Sequence, residues 1–534
     1  MSGRITRTSI LDSVFSGRGF LWLTAFCLLL AGICDQTKES FFHLNSIGSI
    51  VAFLGLSGIL LFVIWRFPND GCDRTETIVL CLMVIGFLLR LWYVLYTPVN
   101  VRQHDVFSFG REEPMTKFVN YRHAEYIEYI CRYLQLPNAD PLARGLSQLY
   151  HPPLHHTLAG VWLRLQTLLG SGYTRAVENI QLLTLLYSSG CMLLGGRLFR
   201  QLGLNGGALV LPMAIICLHP TFILLAGSVN NDILCLLLGL AAIVYAIEWY
   251  RAPSILTILP VALAMGGSMM TKLSGGLLAP GIAIVFLWRA GKDILADRTN
   301  WRCYFKQFVL FGVICVPMGL WWQVRHLLLY DVPLTYVPSL SNQSDQYIGD
   351  YSVWQRLFLM PTESLRNVFE AWKNSGAAYN EYNIPLALFK TAVFDEKTFF
   401  VAGGLGTVGL VASYVLFYSG AALALLALVT AVIAVWKKHL LADGPTTAML
   451  GVSWILLIVS FVAFCFRFPH TCTQNVRYLL PTLVISAAFW GKGYGQLQTC
   501  GGKTARIARG GMIALTALFC VSAAVVYALL GFVE

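Results

Sequence analysis

Long apolar runs, each about as long as a bilayer-crossing helix, recur from one end of this 534-residue chain to the other. A helix needs about 20 predominantly apolar residues to cross the hydrocarbon core of a membrane. Charged residues make up only 12% of the chain, about half the share of roughly 25% in globular domains. The pattern excludes a soluble globular, disordered or collagen-like chain and predicts an all-α polytopic membrane protein.

The apolar runs predict about 13 transmembrane helices. They cover residues 20–34, 47–65, 77–97, 177–196, 206–227, 231–249, 254–270, 275–290, 308–327, 403–436, 447–466, 478–495 and 511–533. Two connecting segments, 98–176 and 328–402, are too long for simple turns, and segments of this length are usually functional. Residues 1–76 would hold two extra spans in front of a main transmembrane domain at 77–534.

The basic residues are distributed unevenly between alternate loops. Nineteen Lys and Arg residues fall in the N-terminal segment and the loops on its side, against four in the short loops of the other side. Because cytoplasmic loops carry an excess of Lys and Arg, the N-terminus is predicted to lie inside and both long loops outside. This asymmetry also accounts for the net charge of +11. The sequence carries no zinc-finger or RNA-binding motif, so no nucleic-acid partner is expected.

The segment from Pro153 to Gly170 is predicted to lie at the outer interface and not to cross the membrane. A full crossing there would invert every later loop and reverse the basic asymmetry. Its polar residues, His155, His156, Arg164 and Gln166, would form the polar side of an amphipathic interfacial helix.

Acidic groups gather in the first long loop. Asp105 follows His104 within about ten residues of the third span, and Glu112 and Glu113 come next. A partly desolvated carboxylate beside a histidine can act as a general base. Asp105 is the leading candidate, while an ordinary solvated acidic loop is the alternative.

Three histidines follow at the end of the same loop, in the sequence QLYHPPLHH. His151 precedes two prolines, and His155 and His156 come after them. They could contact a ligand phosphate, take part in catalysis, or simply share interfacial water. A divalent metal is a further alternative, with His123 or Glu125 joining, although no tight metal-binding spacing is present.

Cations recur at the predicted outer ends of the spans, at Lys272, Arg325 and Arg477, and Asn231 and Asp232 lie at a further such end. Ionisable groups near a span end are costly to bury and are functional candidates by default. A phosphate at this membrane face would need cationic partners. The alternative is that these side chains extend to lipid headgroups. The pattern suits a substrate with an apolar tail, an interfacial phosphate and a polar head.

These motifs together resemble the GT-C superfamily of membrane glycosyltransferases, in the branch of protein O-mannosyltransferases and aminoarabinose transferases. The resemblance covers roughly residues 77–495. It is carried by His104-Asp105, by HPPL at 151–154, by Pro220 and Phe222 followed by Asn231-Asp232, by Lys272 to Gly275 and by Arg477 to Pro481. The resemblance implies a GT-C fold with two large extracytoplasmic loops and a catalytic domain at 77–534.

The resemblance also implies an inverting glycosyltransferase that uses a polyprenyl-phosphate or dolichyl-phosphate sugar. Asp105 would activate the acceptor hydroxyl, with His104, Glu112 and Glu113 beside it. The donor phosphate would be bound by His151, Lys272, Arg325 and Arg477, and the substrate by His155, His156, Asn231 and Asp232. The acceptor would be a protein, a lipid or a polysaccharide.

No cofactor is required by this chemistry, and a divalent metal at His123 and Glu125 stays open. The expected location is a bacterial cell membrane, or the endoplasmic reticulum in a eukaryote, with the site on the extracytoplasmic side. The alternatives are a transporter or flippase of lipid-linked glycans and a glycan polymerase or ligase. A transporter would favour inverted repeats and polar groups at mid-membrane, and no repeat is visible in the sequence.

Overall fold

The computed structural model describes residues 10–36, 53, 55, 57–58, 60–61, 73–99, 122–138, 140–142, 148–366, 368, 381–395, 406–436 and 441–530. Within these ranges the regular elements are helices, together with one isolated antiparallel β-bridge between Tyr347 and His470. The α-helices are Ile10–Val14, Gly17–Gln36, Arg74–Tyr96, His123–Tyr133, Leu154–Leu168, Tyr173–Glu178, Ile180–Gln201, Gly206–Leu218, Pro220–Ala226, Asp232–Arg251, Ile255–Thr271, Ala279–Ala296, Trp301–Tyr330, Val353–Phe358, Thr362–Arg366, Ile384–Phe394, Gly406–Trp436, Gly444–Arg467, Leu480–Thr499 and Lys503–Leu530.

Eight helices in the described ranges are long and apolar enough to cross a bilayer, or nine when the bent pair Gly206–Leu218 and Pro220–Ala226 counts as one span. The predicted polytopic helical protein is thereby confirmed. Four of the 13 predicted spans are not among these candidates of the described ranges. Gly17–Ile33 and Ile255–Thr271 are shorter apolar helices, Leu480–Thr499 is not among the candidate spans, and the run at 47–65 lies mostly outside the described residues. The division of the chain at residue 76 stays a prediction.

Large apolar side chains remain exposed along the flanks of several helices. Leu256, Leu295, Leu328 and Val408 each keep more than two-thirds of their surface exposed. In water, contiguous exposed apolar surface of this kind is unusual. These flanks are therefore the surface that a lipid environment would cover.

A sharp bend of 44° separates Gly206–Leu218 from Pro220–Ala226. Pro220 cannot donate a backbone hydrogen bond, and His219 between the two halves is extended. A helix that ends inside the protein leaves its last carbonyl groups in need of donors.

Arg90 supplies those donors from the neighbouring Arg74–Tyr96 helix. Its guanidinium donates to the carbonyl oxygens of Cys217 at 2.6 Å and Ile216 at 3.0 Å, and to the hydroxyl of Ser188 at 2.9 Å. The side chain is fully buried. Arg90 therefore joins three helices through the end of the broken one.

The Leu154–Leu168 helix has 15 residues and is not among the candidate spans of the described ranges. It packs against His123–Tyr133, where Gly160 lies so close to Ile130 that a Cβ atom would meet it at 2.8 Å. Its apolar residues Leu158, Val161, Leu165 and Leu168 point outward and are exposed.

The polar side of this helix faces the protein and not an interface with water. His155 and His156 are fully buried, and Gln166 accepts a hydrogen bond from the amide of Asn179 at 2.7 Å. The expected amphipathic helix is present, but its polar side is used for packing contacts inside the fold.

The segment after Trp301–Tyr330 is fastened to the turn after Gly444–Arg467. The backbone N–H of Ile348 donates to the carbonyl of Pro469 at 3.1 Å, and the N–H of Thr471 donates to the carbonyl of Gln346 at 2.9 Å. These bonds hold residues 332–348 over the same end of the helices where the basic side chains gather.

Candidate functional site

A cavity of about 900 Å³ lies among the helix ends, a size typical of small-molecule sites. The Trp301–Tyr330 helix, residues 332–340 and the Gly444–Arg467 helix contribute walls, and so do the turns that hold Lys272 and Arg477. Much of the wall is apolar, from Leu273, Leu277, Leu457, Phe461 and Phe464. The cavity therefore combines an apolar surface with polar groups brought from distant parts of the sequence.

The cationic part of the cavity centres on Lys272 and Arg477, which share one carboxylate. Lys272 is the extended residue directly after the Ile255–Thr271 helix, and its ammonium forms an ion pair with Asp232. Arg477 Nη1 lies 3.8 Å from Asp232 Oδ2. Asp232 is only 4% exposed and lines a smaller adjoining cavity together with both cations.

Tyr478 fixes the two cations from one side. The Lys272 Nζ atom lies 4.5 Å from the centre of its ring, and the Arg477 guanidinium carbon lies 5.1 Å from it. Cations over an aromatic face are held by the negative quadrupole of the ring. Among the described residues that line the cavity, Arg122 and Arg467 add two further basic side chains to Lys272 and Arg477.

None of the described residues that line this cavity is acidic. Basic and apolar walls, as the described residues provide them, favour an anion that carries an apolar portion. A phosphate on a lipid tail has both properties.

The histidines form a second cluster that begins at the cavity and continues into the protein. His151 and His123 line the cavity, and their rings stack with centres 5.6 Å apart. His123 Nδ1 lies 2.8 Å from His156 Nε2, so one of these nitrogens donates to the other. His155 Nε2 donates to the carbonyl of Val229 at 3.0 Å. Only the first two histidines therefore face the cavity.

Burial makes the inner two histidines neutral. Desolvation lowers the pKa of His155 to about 4 and holds the pKa of His156 well below its usual value, with the neighbouring histidines adding to the effect. A neutral buried imidazole offers no charge to a phosphate. Neither His155 nor His156 is among the described residues that line the cavity, and the substrate-binding role predicted for them stays a prediction.

Three other predicted residues lie in different settings. Arg325 is not among the residues that line the cavity; its Nη2 donates to Asn138 Oδ1 at 2.7 Å, and its guanidinium lies over Trp322. The amide of Asn231 donates to the carbonyl of Thr271 at 2.8 Å and connects two helix ends. Glu125 accepts a hydrogen bond from the backbone N–H of Arg122 at 3.0 Å and caps a helix.

The catalytic candidates of the first long loop lie outside the described residues: His104, Asp105, Glu112 and Glu113. The described part of the chain contains no group of three or more His, Cys, Asp and Glu side chains that could hold a metal ion. The metal site at His123 and Glu125 stays a prediction.

Sequence reasoning missed Gln323 and Arg467, both of which line the cavity. His326 also lines the cavity and had been given no role from the sequence. Gln323 and His326 are three residues apart in the run LWWQVRHLLLY, and side chains at that spacing share a helix face. That spacing was the available signal, while Arg467 looked like any basic residue at a span end.

No protein-family model and no curated protein matches the chain. Among solved structures, it is similar to ArnT from Cupriavidus metallidurans bound to undecaprenyl phosphate, with a TM-score of 0.39, 14% identity, and coverage of 91% of this chain and 77% of that one. The apo state of the same protein gives a TM-score of 0.39 at 15% identity, covering 91% and 76%.

The chain is also similar to the apo oligosaccharyltransferase from Archaeoglobus fulgidus, with a TM-score of 0.45 and 14% identity, covering 85% of this chain and 56% of that one. At such TM-scores these similarities carry no argument about function, which has to be made from the cavity.

Proposed function

We propose that the protein is an inverting glycosyltransferase that takes a sugar from a polyprenyl-phosphate or dolichyl-phosphate donor at the extracytoplasmic membrane face. The observation that carries the proposal is the cavity that joins Lys272 and Arg477 to apolar walls without a described acidic lining residue. It offers a phosphate its counter-charges and a lipid tail its apolar surface.

In the proposed reaction, Asp105 takes the proton of the acceptor hydroxyl. The acceptor oxygen bonds to the anomeric carbon from the side opposite the phosphate, and the bond between that carbon and the phosphate oxygen breaks. The lipid phosphate leaves with the electron pair, so no further reactant is needed. Lys272 and Arg477 stabilise its growing charge, an electrostatic contribution that is often large in catalysis.

His151 and His123 face the same cavity and are proposed to contact the donor. The Asp232 carboxylate would orient the two cations before the donor binds. Because a buried carboxylate left without its cation is itself destabilising, Lys272 is best removed together with the charge of Asp232.

The direct test measures transfer from radiolabelled polyprenyl-phosphate sugars by the purified protein. The double variant Lys272→Ala/Asp232→Asn is expected to bind undecaprenyl phosphate about thirtyfold more weakly, because a charge-assisted contact is lost. Lys306→Ala is the matched control, since Lys306 is an exposed lysine that does not line the cavity. Equal affinities for the double variant and the control would contradict the proposal, and movement of intact donor across a vesicle membrane would favour a transporter.

A second test addresses the base. Asp105→Asn is expected to abolish transfer while donor binding and thermal stability stay unchanged, because an amide cannot accept the acceptor proton. Parallel Glu112→Gln and Glu113→Gln variants measure whether another carboxylate of the loop shares the role. Full turnover by Asp105→Asn would remove it as the base.

A further inference from the structure

We infer that the cavity holds a separate subsite for an uncharged, hydroxyl-bearing glycosyl group, formed by Gln323 and His326 with Gln346 beside them. This inference rests on the proposed function, because it assigns the part of the same donor that follows the phosphate. It adds residues that the sequence motifs do not mark.

The first observation is that each of these side chains holds one buried polar atom without a hydrogen-bond partner among the described residues. Gln323 is 6% exposed and His326 is 3% exposed, and both line the cavity. Within the described part of the chain, Gln323 Oε1, His326 Nε2 and Gln346 Oε1 make no hydrogen bond. Buried polar atoms are nearly always paired in folded proteins, and the exceptions require an explanation.

The second observation is that the fold holds these groups in place. Gln323 and His326 lie one helical turn apart on the Trp301–Tyr330 helix. Trp322 fixes that turn, since its Nε1 donates to the carbonyl of Leu149 at 3.0 Å and its ring centre lies 4.5 Å from that of His326. The backbone of Gln346 is fastened to Thr471. Unpaired groups on rigid elements are typical of a site built for a ligand.

The chemistry of the three groups selects the ligand. A phosphate only accepts hydrogen bonds, so it uses the donors of Lys272 and Arg477 and has no use for an amide oxygen. Sugar hydroxyls both donate and accept, and amide and imidazole groups can pair with either function. The side chains of Gln323 and Gln346 carry no charge with which a charged substituent on the sugar would pair. The groups therefore fit a neutral hexosyl or pentosyl unit.

The test compares the binding of undecaprenyl phosphate with that of undecaprenyl-phosphate-linked mannose, glucose and galactose. At least one of these neutral sugars is expected to bind the wild-type protein about tenfold or more tightly than the bare lipid phosphate, since buried groups made for hydroxyls disfavour a ligand that lacks them. Gln323→Leu and His326→Phe are expected to remove this gain and leave the affinity for the bare lipid phosphate unchanged. Val324→Leu, on the exposed side of the same turn, is the control.

Binding of the bare lipid phosphate shows that each variant is folded and separates the possible failures. The subsite is overturned if no neutral sugar increases the affinity over that of the bare lipid phosphate, or if both variants keep this increase. The proposed function stands in either case, provided that the bare lipid phosphate binds through Lys272. If the bare lipid binds equally to wild type and Lys272→Ala/Asp232→Asn, the proposed function fails as well.

Discussion

Arg90 and Lys272 are both cations inside the helical body, and their surroundings differ in a way that separates structure from function. Arg90 is fully buried and donates to two carbonyl groups of a broken helix, to the Gly86 carbonyl of its own helix and to one hydroxyl. Lys272 shares a single carboxylate with Arg477 and lines a large cavity. A buried cation whose donors are taken up by backbone carbonyl groups stabilises the fold, whereas a cation that lines a large cavity is placed to bind a ligand.

The largest expected effect falls on the structural side of this comparison. Arg90→Leu is expected to lower the free energy of unfolding by about 3 kcal/mol, because it leaves buried carbonyl groups without donors. The measurement is the thermal unfolding midpoint in detergent, together with the affinity for undecaprenyl phosphate. The unfolding midpoint of Arg90→Lys should lie between those of the wild type and Arg90→Leu, since an ammonium reaches fewer of these oxygens. An Arg90→Leu variant that keeps its unfolding midpoint but no longer binds undecaprenyl phosphate would show that Arg90 serves ligand binding and not the fold.

A smaller effect is expected from pH, through His155. Its folded pKa of about 4 lies below the value of roughly 6.5 for an unfolded histidine. The unfolded chain therefore takes up the proton first as the pH falls, and stability present above pH 6.5 is lost progressively towards pH 4. The loss at pH 5 is roughly 2 kcal/mol for this group alone.

The check on the pH prediction is the unfolding midpoint at pH 7 and pH 5 for the wild type and for His155→Gln. The glutamine variant does not titrate in this range, so its midpoint should change less with pH than that of the wild type. Identical pH dependence of the two unfolding midpoints would show that protonation of His155 does not contribute to the loss of stability at low pH.

The smallest effect is expected at Arg325, which sharpens the comparison among cations at the same helix ends. Its guanidinium is bonded to Asn138 and does not line the cavity. Arg325→Gln is therefore expected to change the affinity for undecaprenyl phosphate by less than about threefold, since the lost charge does not touch the ligand. A loss as large as that of Lys272→Ala/Asp232→Asn would restore Arg325 to the phosphate site, where the sequence had suggested it.

The helical architecture was predictable because apolar runs of bilayer length leave few alternatives to helices. Lys272, Arg477 and His151 were also found in the sequence, since a cation or a histidine beside two prolines stands out against apolar surroundings. Their use of one phosphate site was expected from the resemblance. The apolar walls between them, from Leu273, Leu457 and Phe464, were not derivable, because they come together only in the folded chain.

Other features depended on contacts that no local pattern encodes. Arg90 sits in an apolar run, and its purpose appears only when the bend at Pro220 places free carbonyl groups beside it. Gln323 and His326 became notable through their missing partners, which requires knowledge of everything around them. The orientation of the Leu154–Leu168 helix was likewise not predictable, because an amphipathic pattern does not specify which face packs against the protein.

The outward leucines of that helix have a practical consequence for any preparation of this protein. Leu158, Leu165 and Leu168 are exposed, and behind them the same helix carries the buried His155 and His156. After extraction from the membrane, the detergent or lipid must cover the exposed leucine face of this helix. A short-chain detergent that covers these leucines poorly would weaken the packing of the helix that carries His155 and His156. Lipid nanodiscs are therefore the better medium for the binding experiments described above.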